Sequence, residues 1–196
     1  MLKVGITGGI GSGKTTVCRI FELLGIPVYY ADTMAKDIMN RDPDLKEQVK
    51  HHFGSDIYDS QDLLNRQRLG NIVFNDQDKL QLLNSLVHPA TIRDAEAWAS
   101  RQQAPYVLKE AALLFESEAF HYLDKIIGVS APQPLRLQRA MHRDKASRND
   151  ILARMYKQMD ETVKMRLCDY IIYNDEQQMV IPQVLRLHEE LLVISR

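Results

Sequence analysis

Cysteine is scarce in this chain of 196 residues: Cys18 and Cys168 are the only two, and neither belongs to a CxxC or a mixed Cys/His cluster. That argues against a disulfide-stapled fold or a zinc module and reads as two buried free thiols in a reducing compartment. Long apolar runs are missing too, and nothing approaches the roughly 20 residues of a membrane span. Neither charge sign is in excess, with 25 Lys and Arg against 26 Asp and Glu and a net charge of -1. A dedicated nucleic-acid binder, whose affinity rests on a basic surplus facing phosphate, is disfavoured. Repeats, low-complexity tracts and linkers are absent, which sets aside solenoids and disordered chains. The opening residues lack the apolar core and cleavage site of a signal peptide, so a cytoplasmic protein is expected, with no obligate protein partner and no membrane in view.

Glycine is also sparse, at nine residues, yet four of them fall between Gly8 and Gly13. There Gly8-Gly9-Ile10-Gly11-Ser12-Gly13-Lys14-Thr15 fits the phosphate-loop pattern G-x-x-x-x-G-K-[ST] in full. Such a loop turns several backbone N–H groups toward one oxyanion, and glycine alone freely tolerates the close approach and positive φ this needs. Lys14 then meets the β- and γ-phosphates, Thr15 offers a hydroxyl to Mg²⁺, and the next helix aims the positive end of its dipole at the triphosphate. A chance match in a chain this long has a probability on the order of 10⁻² at average glycine usage. A nucleoside triphosphate is the expected ligand.

The surroundings suit the motif. Leu2-Lys3-Val4-Gly5-Ile6 reads as a strand, and Val17, Ile20, Phe21 and Leu24 recur with helix periodicity after the loop. Gly25 stops that helix, and a second strand runs from Pro27 to Ala31, followed by Asp32. Residues 33–103 read as mostly helical, with starts at Asp42-Pro43, at Ser60 or Asp62, and at Asp76, and with breaks at Gly54 and Gly70. Further strands are expected at 106–108, 125–129 and 170–173, a weak capping box at Ser147 with Asp150, and a final amphipathic helix over 180–194. Strands alternating with helices predict an α/β fold, a parallel sheet of about five strands with helices on both faces. The long helical stretch after the second strand reads as an insertion carrying substrate contacts.

Other residues bear on the choice among triphosphate enzymes. The guanine elements Asn-Lys-x-Asp and Asp-x-x-Gly do not occur, so a GTPase switch is disfavoured. Asp32 stands at the carboxyl end of the second strand, where open α/β sheets bind ligands. It reads equally as a helix cap or as the base that takes the proton of an attacking hydroxyl. Glu110 and Glu116 are candidates for the outer shell of the metal, with a solvated carboxylate preferred for Glu116. Residues 131–168 carry nine basic and four acidic side chains, and Arg136, Arg139 and Arg143 share a helix face. A solvated face is one reading; a lid whose arginines clamp ATP phosphates and whose closure excludes water is the better one beside a phosphate loop. His51, His52 and His88 lack the spacing of a zinc site. Two rival functions are another small-molecule kinase, acting on a nucleoside monophosphate or hydroxylated metabolite, and an ATP-gated regulator without transfer.

Together the motifs resemble the dephospho-coenzyme A kinase family along essentially the whole chain. The resemblance rests on Gly5 through Val17, Ala31-Asp32, Leu64-Asn65-Arg66 with Leu69 and Val73-Phe74, and Leu86-Val87-His88-Pro89. It continues through Leu113-Leu114-Phe115-Glu116, Arg139-Ala140-Met141-His142-Arg143-Asp144, Arg154 with Gln158, and Asp169 through Asn174. It implies a P-loop kinase that transfers the γ-phosphoryl group of ATP, with Mg²⁺, to the ribose 3′-hydroxyl of dephospho-CoA. It also implies one kinase domain over 1–196: a core at about 1–32, 104–130 and 168–196, a helical acceptor-binding insertion at about 33–103, and a helical lid at about 133–165. By position, Gly11, Ser12, Gly13, Lys14, Thr15 and Thr16 hold the ATP phosphates, with Lys14 also catalytic. Asp32 is the base, Arg139 and Arg143 form the clamp, and Asn174 lies near the adenine. Arg66 and His88 join Asp32 on the acceptor side. The chain departs from the family pattern at Ala112, Thr91 and Arg136, none of which removes a phosphate-binding or catalytic residue.

Overall fold

The computed structural model describes residues 1–74, 76–117 and 119–196, with the side chain of Phe74, one of the motif residues, outside the described part. In chain order its elements are β1 (Leu2–Thr7), α1 (Lys14–Leu23), β2 (Val28–Tyr30), α2 (Ala31–Arg41), α3 (Pro43–Phe53), α4 (Arg66–Phe74), α5 (Gln77–Ala99), β3 (Tyr106–Glu110), β4 (Lys125–Ser130), α6 (Gln133–Asp144), α7 (Arg148–Tyr156), α8 (Glu161–Arg166), β5 (Tyr170–Tyr173) and α9 (Val180–Ile194). They form two compact units, one of residues 1–30 and 101–196, the other of residues 31–100.

The first unit is built on a five-stranded, all-parallel sheet in the order β2-β3-β1-β4-β5. Parallel strands buried on both sides need near-continuous apolar sequence, and all five residues of β3 are buried. Side chains of a strand alternate between faces. Ile127 and Val129 therefore point one way, into a core with Val4, Ile6, Val17, Phe21, Leu108, Val184, Leu187 and Leu191, which brings α1 and α9 onto that face. Gly128 points the other way, where a Cβ would lie 2.7 Å from Met165 Sδ and 3.0 Å from Cys168 Sγ, so α8 packs directly on β4. Helices thus cover both faces. Cys18 and Cys168 are free thiols, and burial pushes Cys168 up to about 12 and Cys18 further still, so neither is poised as a nucleophile.

Two strands of the sheet are fixed in register by carboxylates. Asp169 accepts the Ile126 N–H at 2.8 Å and the Lys125 ammonium at 3.0 Å while its own N–H reaches the Ile126 carbonyl at 2.9 Å, setting the register of β5. Asp124 does the same for β1 by accepting the Lys3 N–H at 2.7 Å.

The second unit is helical, with its own core of Ile38, Leu45, Val49, Phe53, Ile57, Tyr58, Leu64, Leu69, Val87 and Ala90. Asp42 and Asp76 cap α3 and α5 by accepting the N–H groups of Leu45 and Lys79, each at 3.0 Å. The helix start expected at Ser60 or Asp62 is not there. Residues 58–64 close instead into a turn with a Tyr58–Leu64 bridge, because Asp59 Oδ1 accepts the N–H groups of Gln61 at 2.9 Å and Leu63 at 3.0 Å. This local bonding competes with helix, and α4 begins at Arg66, capped by Asn65 on the Arg68 N–H at 3.0 Å. Gly70, an expected break, lies inside α4. Pro89 sits inside α5 without ending it; the Thr91 hydroxyl donates to the Val87 carbonyl at 2.8 Å within that turn.

Candidate active site

Within the first unit, β1 delivers the chain into the loop at the middle of the sheet, since β3 and β4 flank it. The loop bends sharply. A Cβ on Gly8 would collide with the Val129 carbonyl, and Gly11 and Gly13 hold φ of 79° and 94°, the left-handed region where side chains are strained. Gly13 is also the N-cap of α1 and brings no side-chain acceptor, and the first turn of α1 contains no acidic residue. The leading N–H groups of α1 are thus left for an anion, with the positive end of the dipole behind them. Lys14 is buried and runs back along the loop, donating to the Gly8 carbonyl at 2.9 Å. Two buried hydroxyls on the loop, Thr7 Oγ1 and Ser12 Oγ, have no hydrogen-bond partner among the described residues. An oxyanion would answer such a donor set.

The arginines of α6 divide. Arg139 donates from Nη1 to the Asn174 carbonyl at 2.9 Å and from Nη2 to Glu176 at 3.1 Å. Asn174 in turn donates from Nδ2 to the Ser12 carbonyl at 2.9 Å, so Arg139, Asn174 and the loop are one connected network. Arg143, in contrast, is engaged with its neighbour Asp144 at 2.7 Å, whose carboxyl is held below the ordinary range by that bond and by Arg154. Arg136 is 8% exposed, against the solvated reading of this face. Its Nε donates to the Ala131 carbonyl at 3.0 Å and its Nη1 lies 3.6 Å from Glu161.

Sequence reasoning assigned no site role to Gln158 or Glu161. They accept the N–H groups of Ile10 at 3.0 Å and of Gly9 at 3.4 Å, from 148 and 152 residues away. Gln158 carried a signal only as part of the family pattern, and Glu161 carried none. Glu116 is exposed as a residue, but its carboxylate is paired: it accepts from Lys164 at 3.1 Å and from the Met159 N–H at 2.9 Å. Burial pushes its carboxyl up, but the Met159 N–H and the Lys164 ammonium outweigh that and hold it below the ordinary value.

The helical unit holds the remaining candidates. Asp32 lies inside the first turn of α2, which already begins at Ala31, so it is not the cap; it is exposed and makes no hydrogen bond or ion pair among the described residues. Arg66 opens α4 and donates to the Lys36 carbonyl at 3.4 Å, one helical turn beyond Asp32 on α2. His88 is half-buried in the middle of α5.

A glycine cradle at the centre of a five-stranded parallel sheet, with an inward lysine, an uncapped helix start and an arginine-bearing helix tied to the loop, defines a P-loop kinase. The model of the family described as dephospho-CoA kinase matches residues 2–179, and the chain belongs to that family. A dephospho-CoA kinase of Porphyromonas gingivalis is 36% identical over 190 residues, covering 96% of this chain and 94% of the relative. Among solved structures, one from Thermus thermophilus superposes with a TM-score of 0.81 at 32% identity, covering 98% of this chain and 96% of that one. The dephospho-CoA kinase from Campylobacter jejuni gives a TM-score of 0.71 at 26% identity over 99% and 98% of the two chains. As a family member the chain is an ATP-dependent transferase of coenzyme A biosynthesis.

Proposed function

We propose that the loop from Gly8 to Thr16 holds the triphosphate of ATP and that the chain transfers its γ-phosphoryl group to the ribose 3′-hydroxyl of dephospho-CoA. The observation that carries this is the cradle itself: an uncapped helix start, a buried Lys14 and two orphaned hydroxyls around one bend. Phosphoryl transfer asks a protein mainly for positioning and charge stabilisation, and this is a set of donors for that purpose. Lys14 meets the β- and γ-oxygens, Arg139 steadies the adenine side through Asn174, and Arg143 leaves Asp144 to join the clamp as the 133–165 lid closes and excludes water.

In the helical unit, Asp32 accepts the proton of the 3′-hydroxyl, with Arg66 and His88 on the same acceptor side; the 31–100 unit receives the CoA part. The freedom of the Asp32 carboxylate from hydrogen bonds and ion pairs among the described residues suits a base. Mg²⁺ fits the donor set as an ion held largely by phosphate oxygens. Thr15 is exposed at the start of α1 with no side-chain partner among the described residues, and Glu110 ends β3 beside β1. When bound, the ion neutralises charge on the transferring group. The reaction takes place in the cytoplasm; among the described residues no helix is long and apolar enough to cross a membrane.

The test is ADP release measured with dephospho-CoA, AMP, pantetheine and shikimate as acceptors. A preference for dephospho-CoA of at least tenfold in kcat/KM is expected. Equal rates with any of the other three would overturn the assignment of acceptor.

A further inference from the structure

The outer limb of the phosphate loop does not stand alone. Ile10 packs its side chain against Ala140, Ile151 and Met155, the small apolar cluster between α6 and α7. Its N–H is taken by Gln158, and the preceding N–H, that of Gly9, by Glu161. A carboxylate is a strong acceptor for an N–H, and it draws the loop toward α8. It also brings a full negative charge to the edge of a loop that must receive a triphosphate, where burial keeps the repulsion from being screened. Arg136 stands beside that charge. Its guanidinium covers Gly9 so closely that a Cβ there would collide with it, and Glu161 Oε2 lies 2.6 Å from the same point. The two side chains are only 10% and 19% exposed.

We infer that Arg136 and Glu161 form a charge-compensated positioning pair for the phosphate loop: Glu161 fixes Gly9 through its N–H, and Arg136 cancels the charge that this carboxylate presents to ATP. Neither residue touches the reacting atoms. Glutamine at 161 keeps an acceptor for Gly9 without the charge, so acceptor and charge can be separated experimentally.

The inference rests on the reading that the loop carries ATP, and the experiment separates the two. Steady-state kinetics with ATP and dephospho-CoA are measured for the wild type, R136Q, E161Q, R136Q/E161Q and Lys14→Ala. R136Q is expected to raise KM for ATP five- to twentyfold, with kcat and KM for dephospho-CoA changing less than threefold. The excess shrinks as salt is raised, since it comes from an uncompensated charge. Adding E161Q is expected to bring KM for ATP back to within twofold of the wild type. E161Q alone leaves Arg136 uncompensated beside the loop and lowers KM for ATP two- to fivefold, which serves as the measurement should R136Q fail to fold. Failure of E161Q to relieve R136Q, or an unchanged or raised KM for ATP in E161Q, overturns the pair. If Lys14→Ala retains its KM for ATP, the loop reading falls and the inference with it; a Lys14→Ala defect beside a cycle without compensation removes the inference alone.

Discussion

Most candidate residues on the sheet-based unit are held in the opposite way from two on the helical unit, Asp32 and Arg66. Lys14, Asn174, Arg139, Gln158 and Glu161 each have a protein partner already, and most are half-buried or deeper. Asp32 and Arg66 are exposed; the first has no polar partner among the described residues, the second a single long bond to a carbonyl. Triphosphate has the same charge and shape in every turnover, so its donors can be organised in advance, and preorganised donors stabilise a transition state without rearranging when it forms. A base has the contrary need, because a carboxylate spent on internal bonds cannot accept a proton. The comparison therefore predicts that substitutions on the first unit disturb both activity and folding, whereas those at Asp32 disturb activity alone.

The sharpest way to break it is Lys14→Ala. Loss of the only lysine in the loop is expected to reduce kcat/KM for ATP by about 10³, the scale of removing one preorganised charge from a phosphoryl-transfer site. The variant also gives up the bond to the Gly8 carbonyl, so its melting temperature should move as well; wild-type kinetics would remove the loop from the mechanism. Asp32→Asn comes next. It is expected to lower kcat by about 10² while KM for ATP changes little, as befits a group that acts in the transfer step. Because the Asp32 side chain has no polar partner among the described residues, melting should change little. A variant that melts early yet turns over normally would return Asp32 to a structural role.

Glu116→Ala probes the same contrast from the packing side. Lys164 is fully buried and its ammonium has two oxygen partners, Glu116 and the Ala112 carbonyl. Removing one leaves a buried cation with a single neutral partner, at an expected cost of about 2 kcal/mol. Since Glu116 also takes the Met159 N–H, the loss falls on the segment between α7 and α8 that carries Gln158. Chemical denaturation should show the cost, and KM for ATP should rise in parallel if that segment grips the loop.

How much of this was legible beforehand follows from the range of the interactions. The strand, loop and helix over 2–23 could be read directly, because a dense glycine motif and helix periodicity are local signals. The caps at Asp42 with Pro43, at Asp76 and at Ser147 were legible for the same reason, and Ser147 indeed takes the Asp150 N–H at 3.2 Å. The turn at 58–64 was misread since Ser60 and Asp62 look like helix starts; the competing bonds made by Asp59 decide the matter, and they depend on the chain already being bent. The joining of Gln158, Glu161 and Arg136 to Gly9 and Ile10 could not be read at all. No spacing encodes a contact across about 150 residues, and the family pattern names Gln158 without saying what it holds. The burial of Arg136 was out of reach for a related reason: helical spacing groups it with Arg139 and Arg143, and only tertiary structure sets it against Glu161.

The smallest expected effect belongs to the far end of the sheet, where β3 begins beside Leu2 and away from the loop that follows Thr7. Tyr106, fully buried at the start of β3, shares a hydrogen bond of 2.6 Å with Nδ1 of His188 on α9. Burial lowers the imidazole below its ordinary value of 6.5, with Glu189 offsetting part of the shift. A neutral ring protonated on Nε2 accepts the tyrosine O–H at Nδ1; a charged ring can only donate there and is in addition penalised by burial. The unfolded chain therefore takes up a proton near pH 6.5 before the folded one does, so stability rises with pH across that window. The contribution is complete above about 6.5, is lost as pH falls through the interval down to the folded value, and is constant below it. Melting of the wild type at pH 8 and pH 5 should differ by about 1–3 °C more than melting of His188→Gln over the same interval. Turnover at a fixed pH should be the same for both. An equal pH response in the two proteins would mean that the Tyr106–His188 contact carries no titratable stability, and a change in turnover would tie this edge of the sheet to the site after all.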